Sequence, residues 1–343
     1  MHRWIRHTLQ SLGGTTVKLI LSIAGFLVLW GMLAPVSTIV WWLNQTAESL
    51  GLEDEEEKPD VLRQVSINAP SSNIDCYIVF LPGVGNFSPD EITQGERYFI
   101  DRLVARHSNC VAVRDVFPYS VVNQDLSQGW LTPLWEASKE SDVLSNVLVQ
   151  VRNLWRFAIS ADDRYGPVYN LSIANTIVER MNAAHPIARS KRPINLILLS
   201  TSGGTQVALG ATAHLREWIN NARITVVSIG GTFEGRAGFN DTNHAYHLYG
   251  DRDWIETLPR VVFPARWNWV VGSPVNQAWQ QGRYTVCNVG SQEHTGAEGY
   301  FGNAIAFNNT SYVELTLEQV DQLPLWSIEQ PLTSSCPSFK RFP

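Results

Sequence analysis

A serine, an aspartate and a histidine occur in this 343-residue chain at positions that could support nucleophilic catalysis. Ser202 lies in the turn Ser200–Gly204, Asp253 comes shortly after a glycine, and His294 lies in the glycine-flanked loop Gly290–Gly296. A serine hydroxyl is a weak nucleophile at neutral pH and needs a neighbouring base. A histidine can accept its proton, and a carboxylate can orient the imidazole and stabilise the cation that forms. These residue types therefore indicate acyl transfer, provided that the fold brings them together.

The segment around Ser202 is predicted to form a strand, a sharp turn and a helix. Leu196–Leu199 is wholly apolar, which is typical of a strand covered on both faces of a parallel sheet. From Val207 to Ala222, apolar residues recur at steps of three and four, as on the buried stripe of a helix. This arrangement resembles the nucleophile elbow of the α/β-hydrolase family, G-x-S-x-G, with Ser200 in place of the first glycine. The structural alternative is that Ser202 merely caps the helix.

The resemblance also implies where a developing oxyanion would bind. After the apolar strand Asp75–Leu81 comes the turn Pro82–Gly85, at a place where the family often has H-G-x-G. The resemblance therefore implies that the backbone amides of Val84 and Gly203 form the oxyanion hole. One alternative is a tight turn with no ligand. Another is a phosphate cradle, but the turn lacks both G-x-G-x-x-G and a Walker lysine.

The same resemblance assigns the acid and the base. The family acid follows a strand, commonly as G-x-x-D, and this pattern maps onto Gly250 and Asp253, with Asp251 as the runner-up nearer the strand. The structural alternative for either aspartate is an Asx turn or a helix cap. His294 follows the predicted strand Arg283–Val289, and no other histidine of the chain comes after the acid in such a loop. The order serine, aspartate, histidine is that of the family.

The succession of apolar segments and helices predicts an α/β fold with a mostly parallel, doubly wound sheet of the α/β-hydrolase type. Asp75–Leu81, a helix and Asn109–Arg114 form a βαβ unit. That helix is predicted to begin at Ser88, with Glu91 completing a capping box. Tyr312–Leu317 is predicted as an extra edge strand. Further strands are predicted at 223–229, 245–249 and 283–289.

Residues 120–166 are longer than an ordinary connection between secondary-structure elements, and they are predicted to form a helical cap insertion. They contain a helical stretch near 143–157, and aromatic side chains at Trp130, Trp135, Trp155 and Phe157. Aromatic residues of this kind can line an apolar pocket over a site, and ordinary core packing is the alternative. A further helix is predicted at 169–184.

The amino-terminal region is predicted to anchor the protein in a membrane. Residues 19–43 carry no charge and are mostly apolar, and they can span a hydrocarbon core of roughly 30 Å at about 1.5 Å per residue. The run is too long for a signal peptide, and no clear A-x-A-like site ends it. Cations lie in residues 1–18, so the positive-inside rule predicts a cytoplasmic amino terminus and a non-cytoplasmic catalytic domain. Residues 44–70 form a predicted acidic stalk, and 71–343 the hydrolase-like domain.

Charge and cysteine content exclude some other classes. The formal net charge is −6 and no basic cluster is present, which argues against a nucleic-acid partner. The sequence contains no C-x-x-C pair, no H-E-x-x-H motif and no Cys/His cluster, so a zinc site is not expected. The acyl-transfer chemistry implies no metal and no organic cofactor. Cys76 and Cys110 lie near the starts of two predicted strands and Cys287 within a third. Buried free thiols are therefore the first interpretation, with disulfides as the alternative in an oxidising compartment.

These features together predict a membrane-anchored serine hydrolase that cleaves a lipid or another acyl ester. The predicted partners are this substrate and the membrane, while the oligomeric state is left open. The first alternative is a binding or scaffold protein that has the same fold but no catalysis. A nucleotide-binding doubly wound protein is a further alternative, but it requires a phosphate loop that the chain lacks.

Overall fold

The computed structural model describes residues 59, 74–86, 92–120, 142–187, 193–219 and 221–336. The chain divides into two units, Met1–Glu57 and Lys58–Pro343, and every element below belongs to the second. The predicted membrane span 19–43 lies outside the described residues, as does the stalk 44–70 apart from Pro59. Within the described ranges, no helix is long and apolar enough to cross a bilayer.

A parallel sheet forms the centre of the described part of the chain. Its strands are β1 (Cys76–Leu81), β2 (Cys110–Val113), β3 (Ile194–Thr201), β4 (Ala222–Ile229), β5 (His244–Tyr249) and β6 (Tyr284–Asn288). They lie in the order β2-β1-β3-β4-β5-β6, and each neighbouring pair is parallel. The prediction of an α/β fold with a mostly parallel sheet is confirmed. The strands coincide with the apolar runs from which they were predicted.

Helices cover both faces of this sheet. They are α1 (Gln94–Arg106), α2 (Asp142–Ala161), α3 (Gly166–Ala184), α4 (Gly204–Trp218), α5 (Trp254–Val262), α6 (Pro274–Gln280) and α7 (Tyr312–Asp321), with a 3₁₀ turn at Pro264–Arg266. An antiparallel ribbon of β7 (Ile305–Phe307) and β8 (Thr310–Ser311) precedes α7. Buried side chains of α3, α4 and α6 pack on one face, and those of α1 and α7 on the other.

The strands alternate their side chains between these two cores. In β1, Tyr77, Val79 and Leu81 belong to one core, and Cys76, Ile78 and Phe80 to the other. Since both faces are covered, every residue of β1 is buried, which explains its continuous apolar sequence.

The loops after β1, β3, β5 and β6 leave the sheet at one edge because these strands run in the same direction. In register, Leu81 of β1 pairs with Ser200 of β3, and Tyr249 of β5 pairs with Asn288 of β6. The carboxyl edge of an open parallel sheet is where ligands usually bind. The fold therefore brings the loops that carry the candidate catalytic residues to a common edge.

Helix α1 begins later than predicted. Thr93 is its N-cap: the Glu96 backbone N–H donates to the Thr93 hydroxyl, and the Glu96 carboxylate accepts from the Thr93 N–H. The predicted cap at Ser88 and Glu91 has the same spacing but lies outside the described residues, and the helix does not extend to it. Two capping-box patterns occur in succession in the sequence, and α1 begins at the second.

The segment predicted as an edge strand, Tyr312–Leu317, is instead the start of helix α7. Five of its buried residues recur at helical spacing: Tyr312, Val313, Thr316, Leu317 and Val320. The short window was misread because apolar and polar residues also alternate over part of it, and the contact with the core decides between the two periods.

The cysteines form two disulfides, Cys76–Cys110 and Cys287–Cys336, so the prediction of free thiols was wrong. Cys76 and Cys110 begin neighbouring strands and pair with each other in register, which brings their Cα atoms to 4.2 Å. The second bond ties β6 to the carboxyl-terminal segment. Strand register and the path of that segment are tertiary properties, which cysteine spacing along the chain does not show.

Candidate active site

Ser202 occupies a strained turn between a strand and a helix. β3 ends at Thr201, α4 begins at Gly204, and Ser202 between them has a backbone φ of 47°. A non-glycine residue is uncommon in this left-handed region because its Cβ is crowded there. Such strain is typical of a turn that holds a nucleophilic serine away from both flanking elements.

The small residues of the turn are required by its contact with the end of β1. A Cβ at Gly204 would lie 2.4 Å from the Pro82 carbonyl oxygen and 2.5 Å from that of Leu81. At the other small position, the buried Ser200 hydroxyl lies 3.0 Å from Thr205 Oγ1 of α4. Serine is therefore accommodated where the family pattern has glycine, because its hydroxyl has a hydrogen-bond partner on the helix.

The structure brings Ser202, His294 and Asp253 together from the loops after β3, β6 and β5. His294 Nε2 lies 3.0 Å from Ser202 Oγ, and His294 Nδ1 lies 2.9 Å from Asp253 Oδ2 and 3.0 Å from Oδ1. When Nδ1–H donates to the carboxylate, Nε2 is left with a lone pair for the serine proton. Asp251, the runner-up acid, is exposed and accepts a hydrogen bond from Asn288 instead.

Asp253 is buried and fully engaged. The Tyr300 hydroxyl donates to its Oδ2 at 2.8 Å, and the Glu256 backbone N–H donates to its Oδ1 at 3.1 Å. Burial alone would raise the pKa of this carboxyl. The hydrogen bonds from His294 and Tyr300 outweigh that effect, and the pKa lies below its ordinary value. The bond from Glu256 also makes Asp253 the N-cap of α5, so it contacts the histidine and caps a helix at once.

Val84 and Gly203, the residues expected to form an oxyanion hole, are neighbours. A Cβ on Gly203 would lie 2.7 Å from Val84 Cγ1. Within the part of the chain that the structure describes, neither backbone N–H donates a hydrogen bond to a carbonyl. Gly203 is also the N-cap of α4, where the helix dipole favours negative charge. This pair of amides beside the serine is suited to bind an anionic oxygen.

A buried asparagine holds the loop that carries Val84. Asn153 of α2 donates through Nδ2 to the carbonyl oxygens of Val84 and Asn86, both at 2.9 Å. Sequence reasoning missed Asn153 and Tyr300, which contact the site across 69 and 47 residues respectively. The polar Asn153 within an otherwise amphipathic helix was the only local hint, and Tyr300 had none.

A second set of buried hydrogen bonds connects α4 with α5. Thr205 Oγ1 of α4 lies 3.2 Å from Ser228 Oγ, which lies 2.9 Å from His247 Nδ1. His247 Nε2 lies 2.7 Å from Glu256 Oε1 of α5. Because Asp253 caps that same helix, these contacts tie the serine turn to the element that positions the acid.

Burial and two arginines determine the protonation states of His247 and Glu256 in this hydrogen-bonded series. Burial lowers the pKa of His247, which keeps its imidazole neutral. Burial would raise the pKa of Glu256, but the His247 hydrogen bond and the charges of Arg260 and Arg266 bring it below its ordinary value. Glu256 is therefore a carboxylate that accepts from a neutral imidazole.

A cleft of about 410 Å³ opens next to the end of α2, and Ser202 and His294 are not among its lining residues. It is lined by Phe157, Ala158, Ala161, Asp162, Asp163, Arg164, Arg236 and Phe263. Phe157 links it to the turn, since a Cβ on Gly203 would lie 3.3 Å from Phe157 Cδ2. The predicted helical stretch 143–157 lies within α2, whereas Trp130 and Trp135 of the predicted cap lie outside the described residues.

Neither a protein-family model nor a curated protein identifies this site. In the described ranges, no group of three or more His, Cys, Asp or Glu side chains could hold a metal ion. No protein-family model matches the chain, and a search of curated proteins finds no significant match. The functional assignment therefore depends on the geometry of the site.

Proposed function

We propose that this protein is a membrane-anchored serine hydrolase of the α/β-hydrolase type that cleaves an acyl ester through a covalent acyl-enzyme. The observation that carries the proposal is the continuous contact from Ser202 through His294 to Asp253, at 3.0 and 2.9 Å. The strained φ of Ser202 and the contact between residues Val84 and Gly203 support it independently.

The chemistry follows from these positions. Ser202 Oγ attacks the ester carbonyl carbon while His294 Nε2 accepts the hydroxyl proton, and the carbonyl oxygen becomes an oxyanion. The amides of Val84 and Gly203 bind that oxyanion, and one such donor lowers the barrier by roughly 3 kcal/mol. The bond to the leaving alcohol then breaks, and His294 Nε2 returns the proton to the alcohol oxygen.

Water completes the cycle. His294 Nε2 takes a proton from a water molecule as that water attacks the acyl carbon, and the carboxylic acid leaves as Ser202 recovers its proton. Asp253 remains ionised throughout and stabilises the imidazolium, consistent with its lowered pKa. No step requires a group beyond the side chains and amides described.

The placement and substrate class form the second part of the proposal. The uncharged run 19–43 is long enough to anchor the domain, and two disulfides favour an oxidising, non-cytoplasmic compartment. A cleft with both apolar and charged walls, connected to Gly203 through Phe157, suits an amphipathic acyl ester from the adjacent bilayer.

Labelling with a fluorophosphonate probe tests the catalytic assignment. We expect the full chain in detergent to become covalently labelled on Ser202 and the Ser202→Ala variant to remain unlabelled. Ser291→Ala is the matched control, because Ser291 is an exposed serine in the same loop as His294. A folded wild-type protein that does not react would overturn the hydrolase and favour a binding protein on this fold.

A further inference from the structure

Helix α5 presents its apolar residues to solvent and its acidic residue to the interior. Trp254, Leu258, Val261 and Val262 follow one another at helical spacing, and each is at least 46% exposed. Glu256 on the opposite face is 1% exposed and contacts His247. This is the reverse of an ordinary surface helix, because the buried carboxylate turns the apolar stripe outward.

The segment after α5 extends this stripe. Trp267 Nε1 donates to the Val261 carbonyl oxygen at 3.3 Å, and the rings of Trp267 and Trp269 have their centroids 4.9 Å apart. Trp269 and Val271 are 73% and 55% exposed. We define the apolar α5 surface by its exposed members: Trp254, Leu258, Val261, Val262, Trp269 and Val271. Contiguous exposed apolar groups of this kind mark an interaction site.

Charge and residue type identify the occupant. Between residues 254 and 271 the charged side chains are one acidic residue, Glu256, and two basic residues, Arg260 and Arg266. Glu256 is buried and pairs with both arginines, and the Arg260 side chain is 43% exposed. The outward charge of the segment is therefore positive, which complements anionic lipid headgroups. Exposed indoles beside aliphatic side chains are typical of residues placed at a membrane interface.

We infer that the apolar α5 surface binds the surface of a bilayer that contains anionic lipid. Asp253 caps α5, and Phe263 at its end lies 6.2 Å from Phe157 between ring centroids. The surface thus adjoins both the acid of the candidate triad and the cleft. Docking would turn the cleft towards the lipid, whether or not the site is catalytic, so this inference does not depend on the proposed function.

Photolabelling by lipid in reconstituted vesicles tests the inference. The predicted amino-terminal span would retain every variant in the vesicle, so the readout must be local. The full chain is placed in phosphatidylcholine vesicles with and without phosphatidylglycerol, each carrying a diazirine phospholipid, and labelled peptides are mapped by mass spectrometry. We expect peptides of 254–271 to be labelled, and to be labelled more strongly when phosphatidylglycerol is present.

Glutamate substitutions within the apolar α5 surface are compared with the same substitution at an exposed tryptophan outside it. Trp269→Glu and Val261→Glu should each reduce labelling of 254–271 about tenfold, the order expected from losing the transfer of one apolar side chain. Trp279→Glu, at an indole that is 60% exposed on α6, should leave that labelling unchanged. These positions are exposed, and near-ultraviolet circular dichroism checks that each variant keeps its fold.

Two results would overturn the inference. One is labelling of 254–271 that neither exceeds that of the Trp279 peptide nor responds to Val261→Glu. The other is crosslinking of 254–271 to a second copy of the chain in place of lipid. Ser202→Ala should be labelled like the wild type, so failure of the hydrolase proposal and failure of membrane docking give different results.

Discussion

Tyr300 helps to hold the candidate triad in place, although no local sequence pattern pointed to it. Its hydroxyl donates to Asp253 Oδ2 and accepts from the Gly250 backbone N–H, each at 2.8 Å. Burial raises the pKa of Tyr300 far above its ordinary value, and the negative charge of Asp253 raises it further, so the phenol stays a donor. Tyr300 is a positioning residue, because it acts on the histidine only through the aspartate.

Tyr300→Phe should slow fluorophosphonate labelling of Ser202 about tenfold. The expected loss is about 1.4 kcal/mol, the order of one hydrogen bond that stabilises the carboxylate behind the forming imidazolium. The measurement is the second-order labelling rate. Tyr246→Phe is the control, because its hydroxyl bonds the Thr333 carbonyl away from the triad. A wild-type labelling rate in Tyr300→Phe would show that Asp253 needs no such support.

At the scale of elements, the site depends on the close approach of β1 to the start of α4. The approach lets the Val84 loop meet Gly203, and it is possible because Gly204 has no side chain. The chain from Thr205 through His247 to Glu256 then links α4 with α5. The serine and its acid are thus positioned by elements that hold one another.

Gly204→Ala should disturb this junction although alanine favours helices. Its methyl group would meet the Pro82 and Leu81 carbonyl oxygens, backbone atoms that move only with the sheet. We expect the free energy of unfolding to fall by about 1–3 kcal/mol, as for other overpacked sites, and labelling of Ser202 to slow. Urea unfolding and the probe rate measure the two effects.

Gly85→Ala is the matched control for that variant. Among the residues that the structure describes, a Cβ at Gly85 meets no atom within 4 Å, although Gly85 lies in the same loop as Val84. Equal stability of the Gly204→Ala and Gly85→Ala variants would show that the close approach does not constrain the turn.

At the scale of the whole molecule, buried histidines make folding sensitive to acid. His244 and His247 both lie in β5 and are buried. Burial lowers the pKa of His244 to about 4 and also lowers that of His247. An unfolded histidine takes up its proton near pH 6.5. Between about pH 6.5 and 4 the unfolded chain therefore binds protons that the folded protein excludes, and stability falls as the pH falls.

The free energy of unfolding should drop by about 2 kcal/mol from His244 alone between about pH 6.5 and pH 5. Urea unfolding of the full chain in detergent micelles at pH about 7.5 and about 5 measures the change. His244→Gln should reduce the pH dependence of the free energy of unfolding, because glutamine does not bind the proton that His244 takes up in the unfolded chain. Identical stability of the wild type at both pH values would contradict this account.

Much of the molecule was predictable from local pattern. Continuous apolar runs such as Leu196–Leu199 predicted buried strands of a parallel sheet, and the order of Ser202, Asp253 and His294 predicted which loops should meet. The predictions for α7 and for the start of α1 were wrong. A short stretch of sequence can fit both a strand and a helix periodicity, and it can contain two capping patterns. For α7, packing on the core selected the helical period.

The sequence by itself determined the parallel architecture and the residue types available at the strand ends, because burial on both faces demands apolar runs whatever the neighbours are. Only the tertiary structure decided which aspartate meets His294, that Tyr300 and Asn153 support the site, and that Cys76 pairs with Cys110. It also decided that α5 turns its apolar face outward. Each of these depends on strand register and on contacts between residues distant in the chain, and no local pattern encodes them.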